Sequence, residues 1–300
     1  NTDSSYLFTV DSGTNYLRKI NFNDYFDVSE VEDMSYMFYN MESFIYDFGD
    51  SEGSEDGITD EYGEPVNGYI DISHWDTSNV TNMSHMFDRC VGAVIMTYWD
   101  ENHDIASSID TSNVTDMSYM FANTREDSPP DMSAPLSFLD IDSDTSKVTN
   151  MSHMFYHSAA HGEWQLDSTH GFSMQSVEDA SYMFYEGNNL TTIDLQNINT
   201  SKTINMNSMF AYSSLIALDL SSFDTSKVTD MREMFTSSDN LETVDLSSFV
   251  IDQKPRMDEM FCDCTNLTTV YISADESWND KLSSLINEDQ STDIFQVKTR

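Results

Sequence analysis

The sequence predicts an α/β repeat solenoid, with one parallel sheet of about ten short strands and short helices on the opposite side. Three observations predict it. The dipeptide Met-Phe recurs with its Phe at positions 38, 87, 121, 155, 184, 210, 235 and 261, and the last three intervals are 26, 25 and 26 residues. Segments of the form L-x-x-[IV]-D-L recur at a fixed offset, as LTTIDL from Leu190, LIALDL from Leu215, LETVDL from Leu241 and LTTVYI from Leu267. Of the 19 methionines, 15 fall on two positions of the repeat. A single such unit cannot bury its apolar face, but stacked copies can.

Residues 1–19 precede the pattern and read as an N-terminal cap. In the strand segment, apolar and polar residues alternate, the period-2 mark of a half-buried strand. Stacking would align Ile193, Leu218, Val244 and Val270, and beside them Leu195, Leu220, Leu246 and Ile272. Strand centres are expected at Asn21, Asp47, Asp71, Asp104, Asp140, Gln165, Asp194, Asp219, Asp245 and Tyr271. The following D-T-S-x-V-T is rich in side chains that bond their own backbone. Its Thr or Ser is placed to cap a helix over M-x-x-M-F, whose Met, Met and Phe would share one face. Repeats account for residues 20–273, with inserts at 49–68, 91–103 and 124–137. Residues 274–300 break the pattern as a C-terminal cap, in which DESWNDKLSSLIN (275–287) reads as a short amphipathic helix.

The phrases FDTSKVTDMREMF, WDTSNVTNMSHMF and LDLSSF resemble the repeat of BspA-type leucine-rich-repeat surface proteins, found in Mycoplasma lipoproteins and in wall proteins of Listeria and lactobacilli. The resemblance spans about residues 20–273. It implies a right-handed, leucine-rich-repeat-like architecture, an extracellular, cell-surface or cell-wall location, and loosely a role in adhesion. It carries no catalytic residues.

Charge narrows the partners. With 13 Lys+Arg against 53 Asp+Glu, the formal net charge is −40 and the pI about 4.1, so nucleic acid and anionic headgroups are repelled. Apolar residues make up 39% and aromatics 12%, too much for a disordered chain. There is no apolar run long enough to cross a membrane as a helix, so no membrane insertion is expected. The opening at Asn1, without basic or apolar leader regions, reads as a mature or excised fragment whose signal or anchor lies elsewhere. A secreted bacterial monomer is expected. Cys90 and Cys264, three residues after Met-Phe where other copies hold Ser158, Ser213 and Ser238, read as small residues at a tight helix end.

Candidate sites lie off the core. The strand residues Asp71, Asp104 and Asp140, with Asp47, Asp194, Asp219 and Asp245, form an acidic ladder that is either a solvated face or a docking face for cations or a basic partner. Mutual repulsion should raise their pKa values, so mild acid should stabilise the fold. The insert GDSEGSEDGITDEYGEPVNG (49–68) offers Asp56, Asp60 and Glu61 as oxygen ligands for Ca²⁺, or is simply an acidic loop. Asp140-x-Asp142-x-Asp144 is a weak echo of an EF-hand start. His153, His157 and His161, with Glu163 and His170, have i, i+4 spacing for Zn²⁺, yet His153 fills a slot held elsewhere by Tyr36, His85, Tyr119 and Tyr182, which favours surface histidines. Tyr98 and Trp99, on the 91–103 insert, are candidate contacts for a protein or glycan. The sum is a non-enzymatic surface adhesin that binds protein or glycan on another cell and requires no cofactor. The alternative is a cation-stabilised stalk.

Overall fold

In the computed structural model each Met-Phe segment lies directly beside the next, and the contact is made by backbone. The structure describes residues 2–9, 26–41, 69–72, 74–90, 93–95, 97–99, 105–124, 144–158, 162–165, 172–188, 190–274, 278, 285 and 294–297. Within them Asp3, Asp33, Asn82, Asp116, Asn150, Asp179, Asn205, Asp230 and Arg256 are joined in that order by parallel bridges.

The Met-Phe segments are not helices, which corrects the sequence expectation. Alternate N–H groups donate across to the next copy: Met34 to the Asn82 carbonyl at 2.9 Å, Tyr36 to Ser84 at 3.0 Å, Phe38 to Met86 at 3.0 Å and Asn40 to Asp88 at 2.9 Å. Residues between them close tight turns, Met37 N–H on the Met34 carbonyl at 3.2 Å and Tyr39 N–H on Tyr36 at 3.1 Å. Two residues per segment take positive φ, as Tyr36 (56°) and Asn40 (61°) do, and left-handed residues interrupt any α-helix. The segments are therefore consecutive β-turns cross-linked into a backbone ladder. The expected helix cap is also replaced. Asp33 accepts the Ser35 N–H at 2.8 Å, and Asn82, Asp116, Asn150 and Asp179 do the same for the residue two ahead.

The single ten-strand parallel sheet is likewise overturned, and with it the right-handed leucine-rich-repeat-like solenoid that the sequence leads one to expect. The strands are β1 (Tyr69–Asp71), β2 (Ala93–Ile95), β3 (Thr97–Trp99), β4 (Ile105–Ser108), β5 (Gly162–Gln165), β6 (Leu190–Asp194), β7 (Ala217–Asp219), β8 (Thr243–Leu246), β9 (Thr269–Ile272) and β10 (Phe295–Val297). They fall into separate sheets: β1–β2 and β5–β6 parallel, β3–β4 antiparallel, and a parallel four-stranded sheet in the order β10–β9–β8–β7. A strand was expected around Asp104 as the parallel neighbour of Asp71. Residues Ala93–Ile95 take that place, because the 91–103 stretch supplies β2 and β3 and sends β4 back antiparallel. Strands centred on Asn21, Asp47 and Asp140 fall outside the described residues.

Where the regular repeats run, the expected register holds: Leu218 lies opposite Val244, Val244 opposite Val270, and Leu246 opposite Ile272. The core is columnar. All 15 repeat methionines are buried, and Phe8, Phe38, Phe87, Phe121, Phe155, Phe184, Phe210, Phe235 and Phe261 stack in one file, ring centroids 5.3–5.9 Å apart. The D-T-S threonines seal the file to its neighbours. Thr225, fully buried, accepts the Val250 N–H at 2.8 Å and donates to the Val250 carbonyl at 3.2 Å; Thr77, Thr145 and Thr200 do the same for Asp110, Ser173 and Asp224. Cys264 takes the role of Ser238. Its Sγ donates to the Phe235 carbonyl at 2.9 Å as the Ser238 hydroxyl does to Phe210 at 2.8 Å, and burial pushes the thiol up to about 12. Trp278 and Leu285 of the C-terminal segment are buried; the rest of the expected helix there lies outside the described residues.

Candidate functional site

Strands β6–β9 border an open groove of about 370 Å³, lined by the apolar Ile193, Leu195, Ala217 and Leu218 together with Asp194, Gln196, Asp219, Thr243, Asp245 and Tyr271. Parallel register puts Asp219, Asp245 and Tyr271 on successive rungs. Each carboxylate also holds the turn that ends its strand: Asp194 accepts the Gln196 N–H, Asp219 the Ser221 N–H and Asp245 the Ser247 N–H, all at 2.9 Å. The acidic ladder is thus uneven. Asp194 and Asp219 face solvent, whereas Asp245 is 7% exposed. A groove combining aliphatic side chains and one tyrosine ring with two exposed carboxylates and amide and hydroxyl groups suits an amphipathic or cationic segment lying along the rungs.

Of the residues singled out in the sequence, Asp71 ends β1 opposite Ile95 of β2. Tyr98 and Trp99 sit on β3, opposite Ser107 and Ile105 of β4, with a register shift between them. Asp104, Asp140, Asp56, Asp60 and Glu61 lie outside the described residues. Among the described residues no group of three or more His, Cys, Asp or Glu is placed to hold a metal ion. His157 stands 3.9 Å from Glu186, and His161 and His170 lie outside the described residues.

Sequence reasoning missed a second file of rings. Tyr6, Tyr36, His85, Tyr119, His153 and Tyr182, all at positive φ of 55–59°, stack with centroids 4.1–4.6 Å apart and planes within 12°. Tyr156 and Tyr185 stack beside it at 5.0 Å, and Tyr212 tilts onto Tyr185 at 5.1 Å. Burial raises the phenols of Tyr36 and Tyr119, and burial together with Glu186 takes Tyr185 up to about 12. The signal was present in the sequence as a slot holding Tyr or His in five consecutive copies, from Tyr36 to Tyr182. It reads as variable surface because the slot changes between Tyr and His from copy to copy.

The protein-family model described as "Mycoplasma protein of unknown function, DUF285" matches residues 5–56, 65–192 and 181–291. No curated protein and no solved structure matches the chain.

Proposed function

This chain belongs to the Mycoplasma DUF285 family, and from that premise we propose that it is the non-enzymatic interaction region of a bacterial cell-surface protein, binding protein or glycan on another cell. The observation that carries the reading is the groove over β6–β9, in which the repeat sets Asp194, Asp219 and Tyr271 on an open face. Repeat stacks commonly use such periodic faces as binding surfaces. The likeness of FDTSKVTDMREMF and its copies to BspA-type surface proteins supports the extracellular location. With a formal charge of −40, the partner's contacting surface is neutral or cationic. Tyr98 and Trp99 are a second contact region. Ca²⁺ bound by Asp56, Asp60 and Glu61 would act as a stabiliser, not a reactant.

The test is binding of the whole chain to arrayed glycans and to immobilised Lys-rich and Arg-rich peptides. The double variant Asp219→Asn, Tyr271→Ala should lose at least about tenfold in affinity for any specific hit. Equal binding by wild type and variant would remove the groove from the proposal. The stalk reading is favoured by the unbroken series of bridges from Asp3 to Arg256, and it expects no specific hit at all. Millimolar Ca²⁺ should raise the melting temperature more than NaCl of equal ionic strength; an equal effect would leave residues 49–68 as an acidic surface only.

A further inference from the structure

The ring file contains two histidines, His85 and His153, on otherwise matching turns. They differ in what faces their Nδ1. His85 Nδ1 is 2.8 Å from Asp88 Oδ2. The residue at the same place in the His153 turn is Tyr156, whose ring lies tilted at 5.5 Å. His153 Nδ1 is buried and has no hydrogen-bond partner. Its ring is closed on both faces, by Tyr119 at 4.1 Å and by Tyr182 at 4.6 Å.

We propose that His153 is an acid-sensitive joint: neutral, it completes the ring file, and protonated, it loosens the stack between Tyr119 and Tyr182. A second N–H formed at Nδ1 would be a buried donor without an acceptor, and the added charge would have lost most of its water. The charged groups around it do not offset this. Asp179, on the next rung, favours the cation, but it is bound to the Ser181 N–H and to Asn205 Nδ2. Asp116, on the rung before, is held by the Ser118 N–H and by Asn150 Nδ2 at 3.4 Å. Glu186 lies beside His157, and His85, two rungs away, opposes a second positive charge. Burial dominates and pushes His153 down to about 4. The competing effect is attraction of an imidazolium to the faces of Tyr119 and Tyr182.

Proton NMR of the full chain from pH 7.5 to 3.5 tests the proposal. The His153 ring signal should titrate near 4, with Tyr119 and Tyr182 ring signals moving together with it. His153→Tyr keeps the ring and removes the charge, so melting curves of that variant should fall less between pH 6.5 and 4 than those of wild type. Tyr156→Asp restores the acceptor that His85 has and should raise the His153 titration by about one pH unit or more. Titration of His153 at or above 6.5 would mean that the rings hold the cation, and would overturn the proposal. Equal pH slopes for wild type and His153→Tyr would overturn it as well.

Discussion

Glu259 and Tyr119 occupy the same slot of the repeat and show what a left-handed residue costs and what offsets it. Their φ values are 58° and 56°. A non-glycine residue in that region is disfavoured by about 1–2 kcal/mol. Tyr119 recovers it by stacking between His85 and His153, whereas Glu259 is exposed and outside the ring file. Glu259→Gly should therefore stabilise the fold by up to about 1 kcal/mol, and Tyr119→Gly should destabilise it by about 1–3 kcal/mol, read from urea unfolding midpoints. Asp219 gives a second residue-scale contrast. The sequence alone treats it as a repelled strand carboxylate, but its oxygen receives the Ser221 N–H at 2.9 Å. Asp219→Asn keeps that acceptor and should be neutral, while Asp219→Ala should cost about 1 kcal/mol. Equal losses in both variants would mean that the charge itself matters.

The repeat unit owes its shape to where its polar groups go. After the first pair, Asp3 and Asp33, Asp and Asn alternate along the bridge series, Asp33, Asn82, Asp116, Asn150, Asp179, Asn205, Asp230, before Arg256 ends it. Adjacent carboxylates would repel at rung spacing. Alternation instead lets Asn205 Nδ2 donate to Asp179 at 3.2 Å, and at the end of the series Arg232 reaches Asp230 at 2.7 Å. The buried threonine is the second inter-repeat link. Thr225→Val keeps the volume but leaves the Val250 N–H and carbonyl without their partner. A loss of about 1–3 kcal/mol is expected by chemical denaturation, and a loss under about 0.5 kcal/mol would mean that water replaces the hydroxyl. The apolar side of the same unit is less forgiving: Phe235, fully buried between Phe210 and Phe261, should cost about 3–5 kcal/mol on Phe235→Ala.

At the scale of the molecule, acid should weaken the fold, reversing the expectation drawn from the strand carboxylates. Hydrogen bonds from Ser78, Ser146 and Ser226 hold Asp76, Asp144 and Asp224 below their ordinary 3.8. Burial pushes Asp230 up, but hydrogen bonds and charge from Arg232, with the charge of Arg256, outweigh it and hold the carboxyl low. Groups whose pKa is lower folded than unfolded stabilise above the unfolded value, and that stability is lost as pH falls through the folded one. The loss from these carboxylates thus begins below about 4. His153, lowered from 6.5 to about 4, adds an earlier loss across that interval, because the unfolded chain takes up a proton that the folded chain refuses. The −40 charge works in the opposite sense at low salt, since protonation relieves self-repulsion. Melting curves in about 1 M NaCl, where the Debye length is about 3 Å, should separate the two. There the midpoint should fall steadily from pH 7 to 3.5, and a rise on acidification would show that repulsion between strand carboxylates dominates after all.

The amino-acid sequence by itself determined the repeat, the burial of Met and Phe at fixed positions, the place of strand β6, and strands β7 to β9 with their register. These are properties of period and hydrophobicity, which each copy carries locally. Leu218, Val244 and Val270 could be aligned on paper because their spacing is regular. The conformation of the Met-Phe segment was decided only by tertiary structure. M-S-Y-M-F-Y-N has no glycine to announce positive φ, and a helix satisfies the same apolar spacing. The ladder wins because Met34, Tyr36 and Phe38 find carbonyls on Asn82, Ser84 and Met86 of the neighbouring copy, partners that no single copy contains. The strand face shows the same division. Asp194, Asp219 and Asp245 were legible as a row, but which of them meets solvent depended on packing across rungs. Tyr98 and Trp99 were legible as an insertion, but their place on β3 depended on Ile105–Ser108 turning back to pair with them. The ring file from Tyr6 to Tyr182 exists only once copies are stacked, since its neighbours are 29 residues or more apart in the chain and less than 5 Å apart in space.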